Sequence, residues 1–280
     1  KKWREHIGLP HDLLLCGREY VLRYLLLRTI INQQADVNKA RELARQLYVN
    51  FSLKLLVKPW EIDIRDYLRV FKSVGGEKGS EVYRVGALGG IKPTSLFIYR
   101  LASYIGYIRM LESEGRSLDE MIRRANSVKA LYQMLCNDEI LSVGWVGNDP
   151  KACRMLVDWI TYLYTTFWRV PSNLSMKDTL MIVDGHVGKV FARTGLIKKV
   201  RYEKKRPFII EAARMRRDIE ELVGQYSDLV PFYVDNGAFY LFKNGYCLEE
   251  HPKCSECPLT NKCKKHIKWT GYTKYKENAT

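Results

Sequence analysis

Four of the seven cysteines fall within one short segment, and their spacing is the first feature of this sequence that indicates chemistry. Cys247, Cys254, Cys257 and Cys263 follow the pattern C-x6-C-x2-C-x5-C. Four thiolates carried on short loops suit either tetrahedral zinc or a [4Fe–4S] cluster. Structural zinc sites more often use two C-x2-C pairs, and this segment has one. The spacing therefore predicts a metal site and leaves the metal open.

Two turns carry a second group of candidate residues. Asp184 stands before Gly185 at the predicted start of a helix, where it suits the N-cap position. A carboxylate fixed there could also stabilise a developing positive charge. Gly144 and Gly147 precede another predicted helix, whose backbone N–H groups could bind a phosphate. Lys151 begins that helix, either as a solvated lysine or as an amine nucleophile.

The charge of the chain is strongly basic, with 46 Lys and Arg against 31 Asp and Glu and a formal net charge of +15. Eleven basic residues and only two acids lie between Lys189 and Arg217. This run favours a polyanionic partner, nucleic acid before an anionic membrane surface, although charge can also serve solubility alone. Lys189 and Arg193 are the candidate phosphate contacts in it.

Apolar residues recur at helical spacing along most of the chain, which predicts an all-α protein. The region from Leu13 to Ile31 is apolar but interrupted by charges, so we predict neither a membrane span nor a secretory signal. We accordingly expect a soluble, intracellular protein. The pattern is weaker from Leu55 to Val74, and no alternation that would indicate a strand was found. Helices are predicted over residues 20–33, 37–47, 93–111 and 151–168. One or two more are predicted over 117–135, where Ser117 and Glu120 form the pattern of a capping box.

The segment from Cys247 to Cys263, including Pro258 after the third cysteine, resembles the iron–sulfur loop of endonuclease III and the adenine DNA glycosylases. The resemblance implies a structural [4Fe–4S] cluster held by the four cysteines and makes zinc the less favoured metal. It also implies that Lys253, between the first two cysteines, contacts DNA phosphates. Further candidates for that contact are Lys262, Lys264 and Lys265.

The stretch Val183–Val190 resembles the signature around the catalytic aspartate of the helix-hairpin-helix DNA glycosylases, which implies that Asp184 is that aspartate. The family hairpin reads apolar-Pro-Gly-x-Gly, followed by Lys in members with lyase activity. Here the loop from Gly144 to Gly147 lacks the proline, and residues 148–150 delay the lysine. The 33 positions from Lys151 to Asp184 are closer to the archaeal 8-oxoguanine glycosylase-lyases, which usually lack the cysteine loop.

The segment Ile30–Val37 is similar to one in which endonuclease III and the adenine glycosylases carry a glutamine that fills the space left by a flipped nucleotide. The resemblance implies that Gln34, ahead of Gln33, contacts DNA. An ordinary polar helix terminus is the alternative. Trp145 is the aromatic candidate for a base pocket, because it lies in the glycine loop.

Taken over most of the chain, the resemblance implies a two-domain helix-hairpin-helix glycosylase fold. Residues 20–183 are expected to form a six-helix barrel, with the helix-hairpin-helix near 138–168. Residues 1–19 and 184–280 are expected to form a discontinuous cluster domain that contains the [4Fe–4S] loop 247–263. The active site is expected in the cleft between the two domains.

The implied function is DNA base-excision repair, in which a damaged base is flipped from the duplex and its glycosidic bond is cut. In a bifunctional enzyme Lys151 would attack C1′ and open a β-elimination route, the AP lyase activity, while Asp184 would stabilise the developing charge and shuttle the proton. This requires Lys151 to be partly neutral, which burial or cationic neighbours would favour.

The expected substrate is an oxidised purine such as 8-oxoguanine, in double-stranded DNA with a lesion or mismatch. Two alternatives stay open: a monofunctional glycosylase of mismatched or oxidised pyrimidine or adenine bases, and a non-catalytic iron–sulfur protein that binds nucleic acid. We expect a monomer without a membrane partner, located in the cytoplasm at the nucleoid, or in the nucleus of a eukaryote.

Overall fold

The computed structural model describes residues 8–77, 81–83, 90–147, 150–203, 206–248, 251–265, 267–270 and 274–277. Most of these residues are helical, which confirms the prediction of a mainly α-helical protein. The chain divides into two compact units, Lys1–Leu174 and Ser175–Thr280, called unit 1 and unit 2 below. Within the described ranges, no helix combines the length and the apolar character that a bilayer crossing requires.

Unit 1 is helical throughout its described elements. Its central helix, Arg18–Ile31, buries every side chain from Val21 onward, as predicted for a helix inside a bundle. A 3-10 turn spans Pro59–Glu61, and a π-helical segment spans Leu163–Phe167. The α-helices are α1 Leu13–Cys16, α2 Arg18–Ile31, α3 Val37–Phe51, α4 Lys54–Val57, α5 Ile64–Ser73, α6 Pro93–Ser113, α7 Leu118–Arg124, α8 Val128–Cys136, α9 Glu139–Gly144 and α10 Lys151–Tyr162.

Short polar side chains begin several of these helices. Asp36 accepts hydrogen bonds from the backbone N–H groups of Asn38 and Lys39 at the start of α3. Ser117 accepts one from Glu120 N at 3.1 Å, where the sequence predicts a capping box for α7. These bonds satisfy N–H groups that have no partner inside the helix.

The weak pattern between Leu55 and Val74 corresponds to three short pieces rather than one helix. Pro59 has no N–H to continue α4 and begins the 3-10 turn. Asp63 is extended, and its carboxylate accepts a hydrogen bond from Arg65 N at 2.8 Å, which starts α5. A proline and an N-cap residue only four positions apart explain the interruption.

The described residues of unit 2 form three α-helices and several short strands. Its core joins the apolar faces of the helices, including Phe191, Ile219 and Leu241, and Cys247 is part of the same core. The helices are α11 Gly185–Thr194, α12 Ala212–Gly224 and α13 Pro231–Lys243, with 3-10 turns at Met176–Asp178 and Cys254–Glu256. The strands form two antiparallel pairs, β1 Tyr202–Glu203 with β2 Arg206–Ile210 and β3 Ile267–Thr270 with β4 Lys274–Glu277.

The strand pairs correct the expectation that the sequence contains no strands. β1 has two residues and its pairing with β2 is irregular, so the polar-apolar alternation of a longer strand has no room to appear. β3 and β4 pair in regular register, Ile267 opposite Glu277 and Thr270 opposite Lys274. Both pairs are additions to a helical fold.

The division into units differs from the expected domains. The described residues of the N-terminal tail belong to unit 1 rather than to a cluster domain: Leu13 is buried, and Tyr24 donates a hydrogen bond to Gly8 O at 3.1 Å. Arg18 forms a bidentate ion pair with Asp119 at 2.9 and 3.0 Å. The boundary between the units follows Leu174, so the segment leading to Asp184 belongs to unit 2.

Candidate functional site

The glycine loop of unit 1 lies between α9 and α10, and its two glycines are needed for different reasons. A Cβ atom on Gly144 would lie 2.5 Å from Ser103 Oγ, because α6 approaches the end of α9 closely. Gly147 has a φ of +83° with open space around it, so its requirement is conformational. Asn148 and Asp149, which the sequence places in this loop, lie outside the described residues.

Gln33, which packs against this loop, and Trp145, which is part of it, are both buried, with exposed fractions of 7% and 8%. The Gln33 amide donates to Gly144 O at 2.6 Å and accepts from Val146 N at 2.8 Å. The Trp145 indole donates to Leu135 O at 2.9 Å. A buried indole with its donor satisfied is a packing residue, so the expectation that Trp145 lines a base pocket is not supported. Gln33 likewise holds the loop rather than facing outward.

Gln34 is placed differently from its neighbour. It is exposed, and its φ of +56° lies in the left-handed region, which is uncommon for a residue other than glycine. Arg100, in the middle of α6, donates from Nη2 to Gln34 Oε1 at 2.9 Å. Of the two glutamines, Gln34 is therefore the one that a macromolecule can reach.

Lys151 is the first residue of α10, and its side chain is exposed. Pro150 is the N-cap residue and makes no side-chain capping bond. Backbone N–H groups at such a helix start are suited to binding an anion. The burial that would favour a neutral amine is not seen at this position.

Asp184 is the N-cap residue of α11, in an extended conformation with φ −108° and ψ −179°. Its Oδ1 accepts hydrogen bonds from His186 N and Val187 N, both at 2.9 Å. The side chain is half-buried. Asp184 therefore caps α11, as predicted, and the two bonds fix the direction of its carboxylate.

Two residues of α13 and α11 support this turn and were not singled out from the sequence. Asp235 is 3% exposed, and its Oδ2 accepts a hydrogen bond from Ile182 N at 2.9 Å, two residues before Asp184. The His186 ring stacks on Phe242, with centroids 3.8 Å apart. An acid inside the apolar run Pro231–Lys243 is the signal that could have identified Asp235.

The four cysteines of the C-terminal segment lie in unit 2, where Arg193 contacts both Cys254 and Cys263. Burial raises the pKa of Cys247 to about 12; Arg193 acts against this shift, while the thiols of the other three cysteines add to it. The loop is folded by local backbone bonds, including Cys257 N to Cys254 O at 3.3 Å and Cys263 N to Leu259 O at 2.8 Å. None of the four forms a disulfide bond within the described residues.

The four thiols are the donor type of a four-thiolate metal centre, and the other three contribute to the raised pKa of Cys247. As they stand, no group of three or more His, Cys, Asp or Glu side chains within the described ranges is close enough to coordinate a metal ion. Electrostatic influence extends further than a coordination bond, so the two observations are compatible.

Arg193, expected to contact DNA phosphates, faces the cysteine segment instead. It is 8% exposed in the last turn of α11 and donates from Nη1 to Leu248 O at 2.8 Å. Its Nη2 lies 3.8 Å from Cys254 Sγ, and the Cys263 thiol donates to its backbone oxygen at 3.8 Å. This corrects the predicted role: Arg193 is an internal contact of the cysteine loop.

Other predicted phosphate contacts remain on the surface of unit 2. Lys253 is exposed, and so are Lys262, Lys264 and Lys265. Lys189 is half-buried, with its Nζ 5.8 Å from the centre of the Phe242 ring. The exposed lysines next to the cysteines thus keep the basic character that the sequence predicts for this segment.

The structure brings the predicted residues together in two groups, one in each unit. Gln33 contacts the Gly144 loop in unit 1, and α11 in unit 2 carries Asp184 at its start and Arg193 near its end, against the cysteines. Two surface clefts of unit 1, with volumes of about 340 and 520 Å³, contain none of the predicted site residues.

No protein-family model, no curated protein and no solved structure matches this chain.

Proposed function

We propose that this protein is a DNA base-excision glycosylase that carries an iron–sulfur cluster. The observation that supports this most directly is helix α11. It begins at a carboxylate fixed by two backbone N–H groups, Asp184, and its last turn carries Arg193 in contact with the cysteine segment. One short helix therefore connects a candidate catalytic group with a candidate four-thiolate centre.

Asp184 would act on the charge that develops as the glycosidic bond breaks. When the bond from C1′ to the base nitrogen breaks, its electron pair leaves with the base and the sugar becomes positively charged. A carboxylate held in a fixed direction stabilises that charge without reorganising, which is why capping and catalysis are compatible in one residue.

Lys151 would supply the amine of the lyase step. Its neutral amine would bond to C1′ as the base departs with the electron pair of the glycosidic bond, and the nitrogen would lose a proton. Cleavage of the C1′–O4′ bond, with O4′ protonated to a hydroxyl, would then give a Schiff base that allows β-elimination of the 3′ phosphate. We propose an oxidised purine such as 8-oxoguanine, in double-stranded DNA, as the substrate.

A monofunctional enzyme is the second candidate, and the exposure of Lys151 favours it. In that case water attacks C1′, and Lys151 at the start of α10 binds a phosphate. The two candidates differ in one measurable species, a covalent bond between the protein and DNA.

The four cysteines would hold a [4Fe–4S] cluster, with zinc as the less favoured occupant. Bound there, the cluster supplies structure, because it ties the thiolates of one loop together. Purified protein should show a broad visible absorbance and about four iron atoms per chain. Colourless protein with one zinc would exclude the cluster and leave the glycosylase proposal to be tested by base release.

The decisive experiment is a panel of duplex oligonucleotides, each with one lesion or mismatch, assayed for base release and for trapping with borohydride. Base release with a trapped adduct supports the bifunctional enzyme, and the adduct should disappear in Lys151→Gln. Base release without an adduct supports the monofunctional enzyme. No base release from any lesion, together with binding of DNA, would leave an iron–sulfur nucleic-acid-binding protein.

A further inference from the structure

The Gln33 side chain joins two segments more than a hundred residues apart in sequence. Its Nε2 donates to Gly144 O at 2.6 Å and to Ile30 O at 3.1 Å, while its Oε1 accepts from Val146 N at 2.8 Å. One amide therefore bonds the backbone on both sides of Trp145. Only a group with donors and an acceptor can do this, since a carboxylate in the same place would face Gly144 O without a hydrogen.

Arg100 holds the next residue in the same way. Its Nη1 donates to the backbone oxygen of Gln33 in a close contact, and its Nη2 donates to Gln34 Oε1 at 2.9 Å. The guanidinium is 1% exposed and lies over the Tyr83 ring, 5.0 Å from its centre, and burial lowers the pKa of Arg100. Burying a cation costs free energy, and here its hydrogen-bond partners are one carbonyl oxygen and one amide oxygen rather than a carboxylate. The packing around Arg100 must therefore hold it in this position.

These contacts define one surface of unit 1. Gln34 is exposed, and its backbone is in the left-handed region, a conformation that persists only when the surrounding structure imposes it. Gln33 is buried and bonds to Val146 N, and it directly precedes Gln34 in the chain. The exposed Gln34 and Val146, which is 44% exposed, are therefore both attached to the same buried residue. The loop end and the glutamine are thus one rigid feature rather than two independent ones.

We infer that Gln33 and Arg100 are positioning residues that fix the Gln34 amide and the glycine loop together as a single surface for reading damaged duplex DNA. This inference rests on the proposed function for its ligand. It predicts that Gln33 and Arg100 affect the affinity for DNA only through Gln34 and the loop, and that neither side chain contacts DNA itself.

The clamp itself is tested without DNA, by hydrogen exchange of peptides that cover residues 32–35 and 143–147. Gln33→Leu should speed exchange of the Val146 amide by about tenfold or more, because that N–H loses its acceptor. Gln46→Leu is the matched control, since Gln46 lies on α3 and its side-chain amide donates to Glu42 on the same helix. Unchanged exchange in Gln33→Leu would overturn the clamp.

The positioning role is tested by a double-mutant cycle on binding to a duplex with a tetrahydrofuran abasic-site analogue. Gln34→Ala and Arg100→Met should each weaken binding about tenfold, and the double variant should be no weaker than Gln34→Ala alone, because Arg100 donates to the Gln34 amide. Losses that add would mean that Arg100 does not act through Gln34, which overturns the inference. Affinity for undamaged duplex should change less than about twofold, because phosphate contacts remain.

Two further variants keep the inference testable if Gln33→Leu does not fold. Gln33→Glu keeps the shape and loses the donors, and Arg100→Lys keeps the charge and loses the ability to bond both glutamines; both should reproduce the loss of lesion binding. If the wild type binds damaged and undamaged duplex equally, the proposed function fails and the reading role fails with it. Hydrogen exchange would then still decide whether Gln33 clamps the loop.

Discussion

The glycine loop of unit 1 and the Asp184 turn of unit 2 both precede a helix, but they are held in opposite ways. The Asp184 carboxylate is fixed locally, by bonds from His186 N and Val187 N in the first turn of α11, while Asp235 holds Ile182 N before it. The loop is fixed from a distance, by Gln33 of the α2 terminus and by the close approach of Ser103 on α6. A local turn keeps its geometry wherever its motif is present, whereas the loop depends on the packing of unit 1.

Asp184→Asn gives the largest expected effect and tests the local turn. Asparagine caps a helix about as well as aspartate, so the free energy of unfolding should change by less than about 0.5 kcal/mol. The charge is lost, so base release in single turnover should fall about 10²–10⁴-fold. Asp184→Ala should add about 1 kcal/mol of destabilisation through loss of the cap. Equal excision rates in wild type and Asp184→Asn would remove the catalytic role.

Gly144→Ala tests the loop and should act on stability first. Its methyl group would meet Ser103 Oγ at 2.5 Å, and we expect a loss of about 1–3 kcal/mol in urea unfolding. The comparison is Gly147→Ala, which meets nothing within 4 Å and should lose only the cost of a positive φ, about 1 kcal/mol. A larger loss in Gly147→Ala than in Gly144→Ala would contradict the account of close packing.

Arg193→Met tests the far end of α11. Removing the guanidinium leaves Leu248 O without its 2.8 Å donor, which should cost about 1–3 kcal/mol, and the metal content of the purified protein should fall. Lys198→Met is the control, because Lys198 is exposed just after the same helix. If Arg193→Met changed the salt dependence of DNA binding while the metal content stayed the same, the original expectation of a phosphate contact would be right.

How much the sequence predicts follows the same division between local and distant interactions. The Ser117 cap, the Asp184 cap and the helices that begin near Tyr20 and at Val37, Pro93 and Lys151 depend on residues a few positions apart, and each was predicted. Helices α9, α12 and α13 were not predicted. Arg193 was misassigned because a basic residue in a basic run looks like a phosphate contact, while its burial depends on the cysteine loop more than fifty residues away. No local pattern indicates where such a side chain points.

Trp145 and Gln33 show the same limit in unit 1. Both lie in segments that a motif marks as functional, and both face inward because Leu135 and the glycine loop supply their hydrogen-bond partners. Sequence favoured Gln34 over Gln33, and the exposure of Gln34 agrees with that order. The contribution of Arg100 could not be anticipated, since an arginine in a largely apolar helix indicates only that its guanidinium must have a hydrogen-bond partner.

Lys253→Ala should give the smallest effect and separates surface charge from both turns. Lys253 is exposed beside Cys254, so its loss should not change the free energy of unfolding by more than about 0.5 kcal/mol. If it contacts one phosphate, the slope of log Kobs against log salt concentration should become less steep by about one, equally for damaged and undamaged duplex. Lys129→Ala removes the same charge from an exposed position on α8 of unit 1 and should leave the slope unchanged. Equal slopes for Lys253→Ala and wild type would show that Lys253 contacts no phosphate, because a lysine that binds a phosphate releases a counterion from the DNA.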